Sequence, residues 1–362
     1  MGRRNGMELD FPIVQVLNEE GTIVQPEYRE QITKELTMTM YRHLIRTRMV
    51  DRKCISLQRQ GRIGTYVPYE GQEACQVGSA LALNDGDWMF PTYRDHGAMM
   101  TFGRSLTQTL LYWKGRTEGC VPPEGKKIVP PSVPIATQLP HAAGAACAEK
   151  WKGTKNAVIV YFGDGATSEG DFHEGLNFAS VFNAPVVFFN QNNQYAISVP
   201  ITRQMKTKTI AQKALAYDIP GLRIDGNDVF AVYFKTTEAL ERARNGGGPT
   251  LIEAVTWRYG AHTTSDDPSR YRDQEESQKR RETTDPIKRV ERLMQREGWW
   301  DEKWANQVQE EVNAEIEQAV VEMESYPKAN VSDMFDFVFA QPTWTIAEQK
   351  EAYLQWKRGM ER

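Results

Sequence analysis

The stretch Ala157-Val-Ile-Val-Tyr-Phe-Gly-Asp-Gly165 reads as an apolar strand that ends in a carboxylate between two glycines. A second apolar run, Val186-Val-Phe-Phe189, leads into Asn192-Asn193, and 26 residues separate Gly165 from Asn192. That interval holds one crossover helix, so the segment is a βαβ unit with a carboxylate and an amide at neighbouring strand ends. In an open parallel sheet such ends border the ligand crevice. Hard oxygens there suit a magnesium ion that also binds through phosphate oxygens. Gly163 and Gly165 allow a sharp turn and a close approach of backbone to phosphate. Either motif alone also fits a plain turn, with Asp164 as a helix N-cap and Asn192-Asn193 as turn residues. Both together, at crossover spacing, favour a diphosphate–metal site.

Outward from this unit the alternation continues with a helix over 170–183, a strand over 186–190 and a helix near 209–217. It then runs through strand Leu222–Ile224, a helix over 229–245 and strand Thr250–Val255. The pattern predicts an α/β fold, a doubly wound parallel sheet. Upstream, Ile32, Leu36, Met40 and Leu44 recur every four residues and announce a helix to about Gln60, with another over Leu106–Trp113. The proline-rich run from Cys120 to Pro134 reads as extended chain. The small residues Ala142-Ala-Gly-Ala-Ala146 suit close packing, within the core or at a subunit contact. Residues 1–30 read as an irregular N-terminal arm with a hairpin, Ile13–Leu17 against Ile23-Val24, of a kind that lies on a partner. The expected divisions are this arm, an α/β domain over 31–285, and C-terminal helices over 286–362. Trp304, Val308, Val312, Ile316 and Val320 form one stripe of that last region.

A chain of 362 residues with 40% hydrophobic residues has ample core. A net charge of −4 gives no reason to expect nucleic acid or an anionic membrane as partner. The four cysteines lack CxxC spacing and read as reduced thiols rather than a zinc site or disulfide frame. No apolar run approaches the roughly 18 residues of a membrane span. Arg3 and Arg4 precede no hydrophobic signal core, and Gly6 stands where a myristoylation motif wants Ser or Thr. The expected location is cytoplasmic.

The motifs Arg59-Gln-Gly-Arg-Ile63, Tyr93-Arg-Asp95, Gly163-Asp-Gly165, Asn192-Asn-Gln-Tyr-Ala-Ile197 and Arg258-Tyr-Gly-Ala-His262, with Ser265-Asp-Asp267 behind them, carry a resemblance. From Leu36 to Trp300 the chain resembles the alpha subunits of heterotetrameric thiamine diphosphate-dependent 2-oxo acid dehydrogenases. The resemblance implies magnesium ligands at Asp164, Asn193 and the carbonyl of Tyr195. It implies cofactor contacts at Tyr93, Arg94, Val133, Ile135, Gly163, Asp164, Gly165, Ala166, Asn193, Ala196, Ile197 and His262. Ile135 matches the apolar position that props the cofactor into its bent form, and Arg94 suits phosphate geometry. Ser132, Thr137 and Gln138 match a potassium site of part of the family. Gln191 departs from the branched-chain pattern, which has arginine before the Asn pair. Thr263 stands where eukaryotic relatives carry a regulatory phosphoserine.

His262 lies in a turn-rich loop just after the last strong strand, with Arg258, Asp266, Tyr271 and Arg272 nearby to order it. By itself a loop histidine is an ordinary surface residue; the resemblance makes it the catalytic residue, a proton donor on the phosphate and substrate side. In such enzymes the cofactor accepts the electrons released by decarboxylation. No second doubly wound repeat is present to bind the other half of that cofactor. The resemblance supplies it from a beta subunit in an α2β2 heterotetramer, with the acyl group passed to a lipoyl acyltransferase. For the 2-oxo acid substrate, the short segment Val121–Pro134 favours pyruvate, whereas Gly226-Asn-Asp-Val-Phe230 and Ser265-Asp-Asp267 look branched-chain; an acetoin dehydrogenase is the further alternative. A pocket differing by a few methylenes discriminates by only about 1–3 kcal/mol.

Overall fold

β4 (Val158–Gly163) and β5 (Val186–Asn192) are adjacent and parallel at the middle of a seven-stranded sheet. This computed structural model describes residues 11–360, so Arg3, Arg4 and Gly6 lie outside the described residues. The other strands of the sheet are β1 (Ile13–Val14), β2 (Trp88–Phe90), β3 (Lys127–Ile128), β8 (Gly221–Asp225) and β9 (Thr250–Val255). A separate antiparallel pair, β6 (Tyr195–Ala196) and β7 (Val199–Pro200), follows β5. The order is β1-β8-β9-β5-β4-β2-β3, parallel throughout.

The period of two along β4 builds both halves of the core. Val158, Val160 and Phe162 enter one cluster with Val186 and Phe188, while Ile159 and Tyr161 enter the other with Val187 and Phe189. The helices α1 (Lys34–Arg59), α2 (Glu73–Leu81), α3 (His96–Thr101) and α4 (Leu106–Trp113) precede α5 (Gln138–Trp151) and α6 (Gly170–Val181). Ala142, Ala143 and Ala146 of α5 and Phe172 and Leu176 of α6 cover the first face. Cys75 and Ala80 of α2 and Ala98 and Met99 of α3 cover the second. The small-residue helix is therefore buried core on one side, and Gly144 faces open space. Apart from β1, the strands of this sheet that precede β4 lie on one side of it, and the later ones lie on the other. The winding thus reverses at β4, where ligands bind beyond the carboxyl ends of strands.

Capping sets the helix starts. The Thr33 hydroxyl accepts from the Leu36 N–H at 3.2 Å, and Ser105 with Gln108 forms a reciprocal capping box ahead of α4. The helix expected near 209–217 is a 3-10 helix, Ala211–Tyr217, and the one expected to reach 245 ends at Arg242 in a wide turn closed by Gly246 and Gly248.

The arm differs from its expected form. Leu17 and Ile23 do make an antiparallel bridge, but Ile13–Val14 extends the main sheet as an edge strand beside β8. The buried Asp228 carboxylate accepts the Val16 and Leu17 N–H groups at 2.6 and 2.7 Å, and Arg289 holds Asp225 at 2.7 Å and the Leu17 carbonyl at 3.0 Å. Two strand residues are too short a run for periodicity to reveal.

The chain divides into two compact units, the first ending at Val320 and the second starting at Val321. Within the first, the helix Pro286–Arg296 is tied to α1 and α2 by a buried charge cluster. Arg48 meets Glu73 at 2.5 Å and grips both oxygens of Asp285 at 2.9 and 3.2 Å. Arg42, Arg46 and Lys53 of α1 pair with Glu311, Glu315 and Glu317, while Val308, Val312 and Ile316 of that stripe are buried. In the second unit, the helix Trp344–Met360 packs Tyr353 on Phe335 and pairs Lys350 with Asp336. Among the described residues no helix is long and apolar enough to cross a membrane.

Breaking a buried ion cluster at one member leaves uncompensated charge. Arg48→Met should lower unfolding stability by about 3–5 kcal/mol in urea titration, since Glu73 and Asp285 both lose their cation.

Candidate active site at the strand ends

The carboxyl ends of β4 and β5 open into a cleft of about 220 Å³. Its wall takes Tyr93 and Arg94 from the loop after β2, Ile135 from the proline-rich segment, and Gly163 to Ala166 from the end of β4. Asn193, Tyr195, Ala196 and Ile197 line it after β5, and Arg258 and His262 after β9. Eleven of the twelve residues expected around the cofactor are on this wall; Val133 is 59% exposed and its side chain is not among the lining residues.

Asp164 is 1% exposed, and its Oδ2 has no hydrogen-bond partner. Burial pushes this carboxyl up to about 6, opposed by the positive charge of Arg258 and Arg94. Gly163 has nothing within 4 Å of where a Cβ would stand, whereas a Cβ on Gly165 would stand 3.0 Å from the Ala196 Cβ. The two asparagines part company. Asn192 donates to Glu253 at 2.8 Å in the core, while the Asn193 oxygen lies 3.3 Å from the Tyr195 N–H beside the cleft. Among the described residues no group of three His, Cys, Asp or Glu side chains could hold a metal. One carboxylate, one carboxamide and one carbonyl nevertheless make the hard-oxygen set that magnesium takes when phosphate oxygens and water complete its shell.

Two guanidiniums face this acid end. Arg94 donates to the Pro68 carbonyl and, through Nη2, to His262 Nδ1 at 3.0 Å and the His262 carbonyl at 3.1 Å. Arg258 donates to the Ile197 carbonyl at 2.9 Å and the Tyr271 hydroxyl at 3.1 Å. Both cations spend their hydrogen bonds on neutral acceptors, and burial with the neighbouring Arg94 pulls Arg258 down to about 10. The Asp266 carboxylate accepts from the His262 N–H at 2.7 Å and from Tyr271 at 2.6 Å, and Arg272 binds the Arg258 and Gly260 carbonyls. These bonds fix the loop as the types and spacing of its side chains suggested.

Arginine can only donate, so the contact with Arg94 makes His262 Nδ1 an acceptor and leaves the ring proton on Nε2. Burial and then the two guanidiniums push His262 down to about 3. The histidine is a neutral N–H donor, not an imidazolium acid. The backbone around the cleft is strained as well. Ala136, Gln194 and Ile197 have φ of 68°, 75° and 55°, costly for side chains and costliest for β-branched Ile197.

No motif in the sequence marks Gln72, or gives Asp95 and Gln191 a place in the site, yet all three line the cleft. The one local signal is Gly71, with φ of 104° and a hypothetical Cβ 2.1 Å from the Trp257 carbonyl oxygen, which marks a turn built for close approach.

Residues 41–332 match the profile of the dehydrogenase E1 component family. The chain belongs to that family. It is 43% identical over 349 residues to the 3-methyl-2-oxobutanoate dehydrogenase subunit alpha of Mycobacterium tuberculosis H37Rv, covering 95% of this chain and 94% of the relative. It is 41% identical over 350 residues to the pyruvate dehydrogenase E1 component subunit alpha of Staphylococcus aureus N315, covering 96% and 94%. The corresponding subunit of Bacillus cereus is 41% identical over 344 residues, covering 95% and 92%. Membership makes the chain an oxidoreductase, and the doubly wound α/β fold expected from the sequence is the fold observed.

With His262 neutral, its NMR signals should not titrate between pH 5 and 8 in the assembled, cofactor-free protein. Arg94→Leu should bring the midpoint back toward about 6.5. A wild-type midpoint near 6.5 would contradict the neutral assignment.

Proposed function

We propose that this chain is the alpha subunit of a pyruvate dehydrogenase (acetyl-transferring), oxidatively decarboxylating pyruvate with thiamine diphosphate and reductively acetylating a lipoyl acyltransferase. The observation that carries the reading is a pair of buried guanidiniums without carboxylate partners beside a buried carboxylate whose Oδ2 is unpartnered. A diphosphate–magnesium unit satisfies both, because its phosphate oxygens take the arginines and its metal takes the acid.

Asp164, Asn193 and the Tyr195 carbonyl would hold the magnesium, with Tyr93, Arg94 and His262 around the diphosphate. Ile135, Ala166, Ala196 and Ile197 would line the ring side, and Val133 would contribute backbone alone. When bound, thiamine diphosphate supplies the electron sink for decarboxylation. The chain's own residues bind and orient. Arg94 fixes the His262 tautomer, and the Nε2–H donates a hydrogen bond on the substrate side without taking on charge. Potassium would sit near Ser132, Thr137 and Gln138, which share one cavity and where Gln138 Oε1 is buried without a partner.

A cleft of about 220 Å³ is below the range of roughly 300–1,000 Å³ for sites that enclose a ligand. This supports a half-site closed by a beta subunit in an α2β2 assembly. Free cysteines at 54, 75, 120 and 147 fit a reducing compartment and a cytoplasmic location. The second reading is the branched-chain enzyme, favoured by the 43% identity to a 3-methyl-2-oxobutanoate dehydrogenase subunit alpha.

Co-expressed with its beta subunit and given thiamine diphosphate and magnesium, the protein should reduce ferricyanide with pyruvate at least tenfold more efficiently than with 2-oxoisovalerate. The reverse preference would install the branched-chain reading, and activity on neither would point to acetoin. The chain alone should be inactive, and His262→Ala in the assembly should lower kcat by about 10²–10³-fold, the size of a lost preorganised donor.

A further inference from the structure

A buried row of amides leads from Asp95 to Asn193. Asp95 accepts three hydrogen bonds, from the Thr92 N–H at 2.6 Å, the Thr92 hydroxyl at 2.6 Å and Gln191 Nε2 at 2.5 Å. Gln191 Oε1 then accepts from Gln72 Nε2 at 3.0 Å, with Gln76 Nε2 at 3.5 Å, and Gln72 Oε1 accepts from Asn193 Nδ2 at 3.0 Å. The Asn193 oxygen is left facing the Tyr195 N–H at 3.3 Å. All four side chains are buried.

A carboxamide has one accepting end and one donating end, and only the accepting end ligates magnesium. An ionised carboxylate only accepts. With Asp95 at its head, the row has one polarity that pairs every donor with an acceptor, and that polarity turns the Asn193 oxygen toward the Tyr195 loop and the cleft. We infer that Asp95, Gln191 and Gln72 are positioning residues that set the orientation of the Asn193 carboxamide and thereby the metal affinity of the site. This rests on the diphosphate–magnesium reading above. It also gives Gln191 a use other than phosphate binding, as a neutral link buried between Asp95 and Gln72.

Asp95→Asn keeps shape and changes polarity. The Thr92 N–H holds the new oxygen, so an NH2 faces Gln191, and one donor–donor clash must fall somewhere along the row. It settles at the longest of the bonds that join the row in series, the 3.3 Å contact between Asn193 and Tyr195, by flipping all three amides and presenting nitrogen to the metal. In Asp95→Asn/Gln191→Glu the acceptor-only group moves one step along, and the original Asn193 orientation returns.

The test is Mn2+ affinity of the beta-subunit assembly at saturating thiamine diphosphate, read by electron paramagnetic resonance, with circular dichroism and assembly size as folding checks. Asp95→Asn should weaken Mn2+ binding at least tenfold, the lower end for lost outer partners of metal ligands. The double variant should recover to within threefold. Should Asp95→Asn fail to fold, Gln72→Met, which removes the anchor of Asn193 Nδ2, should also weaken Mn2+ at least tenfold. Unchanged affinity in folded Asp95→Asn or Gln72→Met, or a double variant as weak as the single, would overturn the inference while leaving the site reading intact. A wild-type assembly that binds no Mn2+ with thiamine diphosphate would overturn the site reading itself.

Discussion

Uncompensated charge is the constraint on which this site depends. Asp164 keeps an unpartnered oxygen at the end of β4, and Arg94 and Arg258 stand buried around His262 without a carboxylate in hydrogen-bonding contact. Acid and base lower each other's cost at a distance but form no ion pair, because the rigid ends of β4, β2 and β9 hold them apart. Charge buried without a close partner is expensive, and a fold retains it where a ligand supplies the missing sign. Here both signs are missing, which a metal–diphosphate unit carries and a simple anion does not.

The scaffold explains how such a cost is carried. Strands β4 and β5 bury apolar side chains on both faces, so their ends are fixed by two separate core clusters. The Arg48 cluster ties α1 and α2 to the helix Pro286–Arg296, and Gly71 brings Gln72 from the start of α2 under the Asn193 amide. Left-handed backbone at Ala136 and Ile197 lies in the cleft wall, and Gln194 stands between the lining residues Asn193 and Tyr195.

What was legible in the chain follows from how local each signal is. The strands Val158–Gly163 and Thr250–Val255 stand within one residue of their expected bounds, because a β-rich run of about six residues encodes the strand, and in the first the glycines after Phe162 encode its stop. Strand β5 runs two residues past its expected end at Asn190, since the polar Gln191 and Asn192 keep the ladder with Ala254 and Val255. The edge strand at Ile13–Val14 was hidden by its length. The cleft residues in glycine-bracketed motifs are recognisable, while the amide row is not: its members come from three segments, with Asp95 and Gln191 standing 96 residues apart and Gln72 and Asn193 standing 121 apart, and only the fold makes neighbours of them. Val133 is a contact that only the resemblance implies, and its exposed side chain lies off the cleft wall.

The central claim is that this cleft binds a diphosphate through a metal held at the strand ends. Calorimetric titration of thiamine diphosphate into the assembly with its beta subunit, with magnesium and then with excess chelator, tests it most directly. The account predicts binding at least tenfold tighter with magnesium, a gain that Asp164→Ala abolishes. Equal affinity in chelator, or a magnesium effect that survives Asp164→Ala, would contradict it.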